Sequence, residues 1–203
     1  MIATSTVRTV EEVVYPPTAP GAELYPALDL ANSILTTSGG NVIDLLDTPH
    51  AATRWLQDHG LLPPEGRLHE TCATRLRTMR QHLRALLAAR ITRTLPSREA
   101  VNAINDALTR VPTAAPLRWD SSTGPLRVPK HPTDQLVDHA LGLLAADAAD
   151  LLTTPDADRL TTCDSPPCTR YLLRNGRRQW CSTRCGDRAR AARAYARRTR
   201  STT

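Results

Sequence analysis

Phenylalanine is absent from the 203 residues, tryptophan occurs three times and tyrosine four. With so few aromatic rings, the core has to be assembled from leucine, alanine and valine. Lysine is nearly absent too: Lys130 stands alone beside 25 arginines. Such an alanine-, proline- and arginine-rich composition fits a GC-rich coding bias, so the pattern of arginines carries more weight than their number. No apolar run reaches 18 residues, which leaves no helix to span a membrane. The opening MIATSTVRTVEEVVYPPTAPG lacks the basic and apolar blocks of a secretory signal. The chain is therefore expected in the cytoplasm of a bacterium, where thiols stay reduced.

Further absences narrow the chemistry. There is no glycine loop to cradle a phosphate, no nucleophile elbow and no carboxylate pair in a plausible setting. The six histidines (50, 59, 69, 82, 131, 139) show no ligand spacing, and none follows Cys163. No enzymatic activity is expected.

What is present is a strong charge asymmetry. From Cys163 to Thr203 eleven arginines face only Asp164 and Asp187, a net +9, whereas the first 162 residues carry a net −3. A mildly acidic body thus carries a strongly basic end, which points to a polyanionic partner held by that end.

Hydrophobic residues make up 40% of the chain, enough for a core. Residues 1–23 read as a flexible arm ending in PPTAPG. In YPALDLANSIL, Leu28, Leu30, Ile34 and Leu35 are expected to line one side of a helix, broken at Gly39-Gly40-Asn41. A second helix starts with Thr48 as N-cap and Pro49 at the first position, and Gly60 follows its end. The longest helix is predicted over 67–93, with Leu68, Cys72, Leu76, Met79, Leu83, Leu86 and Leu87 inward. Arginines 75, 77, 80, 84 and 90 take its remaining surface. Cys72 on that stripe reads as a small buried hydrophobe. Ser97 caps a helix with Val101, Ile104, Leu108 and Val111 inward, and PLRWDSSTGPLRV reads as a hairpin. Thr133 opens a helix burying Leu136, Val137, Leu141, Leu144, Ala148 and Leu151, and Thr154-Pro155 starts a short turn. The predicted fold is mainly α with one or two short β-hairpins: a helical domain over 24–160, then a small finger over 161–203.

The finger rests on four cysteines, Cys163-x4-Cys168-x12-Cys181-x3-Cys185. Two close pairs about a dozen residues apart suit a closed tetrahedral Zn²⁺ site, each pair supplying two thiolates from one local turn. Four cysteines leave no open position, so the predicted cofactor is one structural Zn²⁺. Asn175-Gly176 is a favoured two-residue hairpin turn. That register sets Arg174 against Arg177, Leu173 against Arg178 and Tyr171 against Trp180, an aromatic pair beside the metal. Turn, hairpin and a helix carrying the second cysteine pair is the layout of a treble-clef finger. About 40 residues bury too little apolar surface to fold alone, so zinc is expected to supply the stability.

WCSTRCGDR followed by an arginine-rich helix resembles the CGNR zinc-finger family. The body resembles the ABATE domain found with that finger, in ALDLANS, in DLLDTPHAATRWLQDHGLL and in ADLLTTPDADRLTTC. The resemblance covers about Leu24 to Arg198 and implies a family regarded as stress-induced transcription regulators. One residue departs from the motif: the namesake asparagine is Asp187 here. An aspartate there can brace the finger or suit a helix start, but it would repel a phosphate.

On a helix from about Ser182, Arg190, Arg193, Arg197 and Arg200 share one stripe, and Arg184, Arg188 and Arg198 form another. The hairpin adds Arg174, Arg177 and Arg178. The expected function is a zinc-dependent, DNA-binding transcriptional regulator, with double-stranded DNA as partner and the body serving association or sensing. Nucleic-acid contacts are assigned to Arg174, Arg177, Arg178, Arg184, Arg188, Arg190, Arg193, Arg197 and Arg198. A homodimer is expected because one finger has a small footprint. The alternative is a ligand-binding or protein-interaction module whose basic end docks on RNA or an acidic protein. Asp29 and Asn32 are weak candidates for an effector pocket, with capping or a buried hydrogen bond as the other reading.

Overall fold

The computed structural model describes residues 17–37, 39–110, 117–127 and 135–200, the side chain of Arg200 excepted. Along the chain run α1 (Pro26–Ala31), β1 (Ile34–Thr36), β2 (Val42–Asp44), α2 (Pro49–Asp58), α3 (Glu70–Thr92) and α4 (Arg98–Arg110). Then come β3 (Leu117–Asp120), β4 (Gly124–Arg127), α5 (Leu136–Thr153), a 3-10 turn (Pro155–Arg159), β5 (Leu160–Thr162), β6 (Tyr171–Leu173) and α6 (Thr183–Arg200). The fold is mainly helical, with three two-stranded antiparallel sheets among the described residues: β1–β2, β3–β4 and β5–β6.

Local sequence explains most helix limits. Thr48 Oγ1 accepts the Ala51 N–H at 3.1 Å and Pro49 sits at the first position of α2. Gly60, beyond the end of that helix, takes a positive φ of 65°. Ser97 Oγ accepts the Ala100 N–H at 3.2 Å, capping α4. The main core fills the space between α2, α3, α4 and α5, with Trp55, Leu76, Met79, Leu83, Ile104, Leu141 and Leu144 at its centre.

Several expectations change. Ile34 and Leu35 do not extend a helix; α1 stops at Ala31 and residues 34–36 pair with 42–44. On α4 the buried residues are Ala100, Ile104 and Ala107, while Val101 lies 36% exposed. Small alanines let α4 approach α5 closely, so the inward face follows size as well as hydropathy. Val111 and Thr133 lie outside the described residues; α5 begins at Leu136.

Another change concerns Arg80, assigned to the surface of α3 and found 2% exposed. Its guanidinium forks onto both Asp44 oxygens at 2.6 Å and donates to Ser33 Oγ at 3.0 Å. This pair ties β2 and the end of α1 to the long helix. Burial raises the Asp44 pKa, but the Arg80 hydrogen bonds and charge outweigh it and hold the carboxyl below its ordinary value.

A second core joins body and finger. Leu28 and Ala31 from α1, Leu87 from α3 and Leu151 from α5 pack with Leu160, Tyr171, Leu172 and Leu173, and with Cys163, Cys181 and Cys185. Residues 17–23 fall within the predicted flexible arm, yet Ala19 and Ala22 are buried in this core. The Leu173 N–H donates to Pro20 O at 2.7 Å, and a side chain on Gly21 (φ +91°) would run into Leu173. Residues 1–16 of that arm lie outside the described residues.

Candidate metal centre and basic helix

β5 delivers Cys163 into a tight loop. The Cys163 N–H donates to Arg170 O at 2.8 Å and the Cys168 N–H to Ser165 O at 3.0 Å, folding the first pair of thiols over one turn. The second pair is set by the start of α6. Ser182 Oγ accepts the Cys185 N–H at 3.2 Å, and the Asp164 N–H donates to Gln179 O at 3.0 Å, closing the two halves together.

All four sulfur atoms lie within 4.8 Å of one another. Cys168 and Cys181 Sγ are 3.7 Å apart, and Cys181 and Cys185 Sγ 3.6 Å. A tetrahedral Zn–S₄ group with bonds of about 2.3 Å has sulfur–sulfur edges of roughly 3.8 Å, so the cluster fits one structural Zn²⁺. Cys163, Cys181 and Cys185 are buried and Cys168 is half-buried. Thiol hydrogen bonds with Cys163 and Cys181 pull the Cys168 pKa down to about 3, while those with Cys168 and Cys181 push that of Cys163 far up. A cation at the centre would take the place of the thiol protons.

The outer shell is specific. The Cys181 N–H donates to Cys163 Sγ at 3.4 Å. Arg188 turns back to the metal: its Nη2 lies 2.9 Å from Ser165 O and 3.4 Å from Cys185 Sγ, and its Nε 3.2 Å from Ser165 Oγ. Ser165, fully buried, donates its hydroxyl to Cys185 O at 2.8 Å. Arg188 therefore braces the finger and offsets the negative charge of four thiolates on one Zn²⁺. The sequence assigned Arg188 to nucleic-acid contact; in the structure its guanidinium is turned to Ser165 and Cys185.

The predicted Asn-Gly hairpin is replaced by another pairing. β6 pairs with β5, setting Tyr171 opposite Thr162 and Leu173 opposite Leu160. Residues 174–180 form a loop, in which Gly176 has φ +59°. Tyr171 and Trp180 do not face each other. Tyr171 packs under the Arg84 guanidinium, 5.0 Å from its ring centre. Trp180 donates its indole N–H to Asp164 O at 3.1 Å, and Arg190 and Arg193 stand 5.6 and 5.4 Å from its ring. A Cβ on Gly186 would lie 3.1 Å from Trp180, so this motif glycine makes room for the indole. Asp187 is exposed and pairs with Arg190 at 2.6 Å, one turn along the helix, and it caps nothing.

The other assigned arginines are exposed: Arg174, Arg177 and Arg178 on the loop, and Arg184, Arg190, Arg193, Arg197 and Arg198 on α6. From Ala189 to Thr199 no residue of the helix is buried. Arg178 Nε donates to the Trp180 carbonyl at 3.2 Å, a contact within the loop.

Asp29 and Asn32 turn to different partners. Asn32 is 2% exposed and brackets one residue of the finger, donating to Tyr171 O at 2.9 Å and accepting the Tyr171 N–H at 2.7 Å. Asp29 faces away to the Trp55 indole N–H at 3.3 Å and to His59 Nε2 at 3.1 Å. Burial lowers the His59 pKa, but the hydrogen bonds to Asp29 and the Trp55 carbonyl more than offset it and raise it above its ordinary value. Sequence reasoning missed Ser165 and Arg170. Arg170 is 5% exposed and donates to Pro17 O at 2.9 Å, a contact 153 residues away that no local pattern signals.

Two family profiles match the sequence. Residues 24–155 match ABATE, described as "Putative stress-induced transcription regulator", and residues 159–198 match the CGNR zinc finger. No curated protein matches the sequence. With a profile covering well over half of its length and a four-cysteine cluster where the second profile falls, the chain belongs to the ABATE family and carries a CGNR zinc finger.

Proposed function

We propose that this chain is a transcription regulator that binds double-stranded DNA through the exposed arginines of α6 and the 174–178 loop. The observation that carries the reading is the outer half of α6, without a buried residue over 189–199 and rich in arginine, yet fixed at its root by the metal centre. A helix aimed by four ligands presents its charges in a set geometry, which a frayed tail does not. Alanines 189, 192 and 196 between the arginines let the helix backbone approach a groove. The Asp187–Arg190 pair trims the positive charge at the root, so the contacts centre on Arg193, Arg197 and Arg198 and on the loop.

Zinc is structural in this reading. The protein acts as a homodimer in the cytoplasm, since one finger covers too few base pairs for specificity. A small effector would sit in the cavity of about 250 Å³ lined by Arg75, Met79, His82, Ala107, Arg110 and Asp138.

The test is binding to the chain's own upstream promoter and to random duplex, across salt, for wild type and for Arg193→Ala/Arg197→Ala. Six to eight phosphate contacts predict a slope of log K against log[salt] of about −5 to −7, reduced by about two in the double variant. Equal affinity for both duplexes sinks the sequence-specific regulator. Binding to neither duplex, with retention on RNA or an acidic protein, moves the target elsewhere.

A further inference from the structure

The β3–β4 hairpin stands apart from both cores. Every residue of β3 is exposed, and β4 is exposed except for a half-buried Gly124. Trp119 is 77% exposed and Leu117 69%, on the same face of the strand. A two-stranded hairpin in water is marginal by itself, and large exposed apolar side chains on it mark a contact surface. The two edges are not equivalent. β4 contains Pro125, and a strand proline is tolerated where its missing N–H would face away from the ladder, which blunts that edge. β3 contains no proline, and its outer edge pairs with no other described strand.

β3 is also complementary to itself. Arg118 and Asp120 flank Trp119. When two copies of β3 run antiparallel about a two-fold axis at Trp119, Arg118 stands opposite Asp120 of the partner subunit. By symmetry Asp120 stands opposite Arg118 of the partner subunit, and the two Trp119 rings meet at the centre. Each opposed pair is then attractive, the reciprocity that an isologous contact requires. Asp120 is well suited to stay charged: hydrogen bonds from the Ser122 hydroxyl and from the Ser122 and Thr123 N–H groups hold its carboxyl far below the usual range. Leu117, Trp119 and Pro125 from both copies would form one apolar strip across a four-stranded sheet.

We infer that the outer edge of β3 is the self-association surface of this protein, pairing with β3 of a second copy through Trp119 and two reciprocal Arg118–Asp120 contacts. The proposal rests on the hairpin and not on DNA binding, so each can fail without the other. A contact of four residues per strand is small, and the dimer is expected to be weak, with a dissociation constant of about 1–100 μM.

The test is sedimentation of the full zinc-loaded chain over about 1–200 μM without DNA. Arg118→Asp places like charges opposite each other twice and should weaken association about tenfold or more, whereas Arg118→Lys should stay within about threefold. A cysteine at the axis gives an independent readout, because directly opposed residues of antiparallel strands come within disulfide reach. Mild oxidation should link Trp119→Cys into a covalent dimer several times faster than Leu95→Cys, a change at a site 96% exposed. A wild type that stays monomeric throughout overturns the proposal. So does a dimer that Arg118→Asp leaves intact while Trp119→Cys links no faster than Leu95→Cys, which would place the contact on another face.

Discussion

Replacing Asn32 by alanine tests whether finger and body are one folding unit. Asn32 donates one hydrogen bond to the backbone of Tyr171 and accepts another, at 2.9 and 2.7 Å, and lies 2% exposed. Truncation leaves the Tyr171 N–H and C=O buried without those partners. Each orphaned group costs about 1–3 kcal/mol, so the pair costs about 2–6 kcal/mol. For a chain of this size, about 2–4 °C of melting temperature is lost per kcal/mol, a predicted fall of roughly 4–24 °C. The loss should reach the metal as well, because β6 links the Asn32 bracket to the loop that carries Cys163 and Cys168. Calorimetry of the zinc-loaded protein measures the first effect. Transfer of zinc to a chromophoric chelator measures the second, expected to run about tenfold faster than in wild type. A melting temperature within about 2 °C of wild type, with an unchanged transfer rate, would refute the idea that the body supports the finger.

Further outcomes follow from the same contacts. Arg188→Ala should lower zinc affinity about 10–100-fold by removing bonds to Ser165 and Cys185, with chelator competition as the assay. Arg184→Ala, at an exposed residue, should leave zinc affinity unchanged. Arg80→Met strands Asp44 without its partner and should destabilise the chain by about 3–5 kcal/mol in urea unfolding. Asp147 is pushed up to about 6 by burial, against the hydrogen bond it accepts from the Ala27 N–H. The folded state thus holds this proton more tightly than the unfolded chain, and the stability it confers is full below about pH 4 and lost as pH rises through 6. Asp147→Asn should remove that loss, about 1 kcal/mol once its partial exposure is allowed for, seen as a flatter pH dependence relative to wild type. Chelation of zinc should unfold the finger and release the apolar faces of Tyr171 and Leu172, detected by dye binding.

What was legible in the sequence was local. The cysteine spacing gave the metal site, Thr48 and Ser97 gave two helix starts, and the leucine stripe gave α3. What escaped was tertiary. Asn175-Gly176 has the composition of a hairpin turn, yet β6 takes β5 as its partner, because Leu172 and Leu173 are drawn into the shared core. Arg80 reads as a surface residue by polarity, and only the fold brings Asp44 and Ser33 to its guanidinium. Asn32 is one polar residue after a short helix, and its use depends on a strand 139 residues away. Arg188 shares its helix with many other arginines, and only the fold brings Ser165, in the loop between the first two cysteines, to its guanidinium.

The Asn32 bracket also sets an order of events during synthesis. Tyr171 follows Asn32 by 139 residues, which at about 5–20 residues per second is roughly 7–28 s of translation. Through that interval Leu28, Ala31 and Asn32 have no strand to cover them, since Tyr171, Leu172 and Leu173 do not yet exist. The last ligand, Cys185, emerges later still. Closing the second core and capturing the metal are therefore late steps, and a nascent chain stalled before Tyr171 would display an apolar seam to the chaperones and proteases around it.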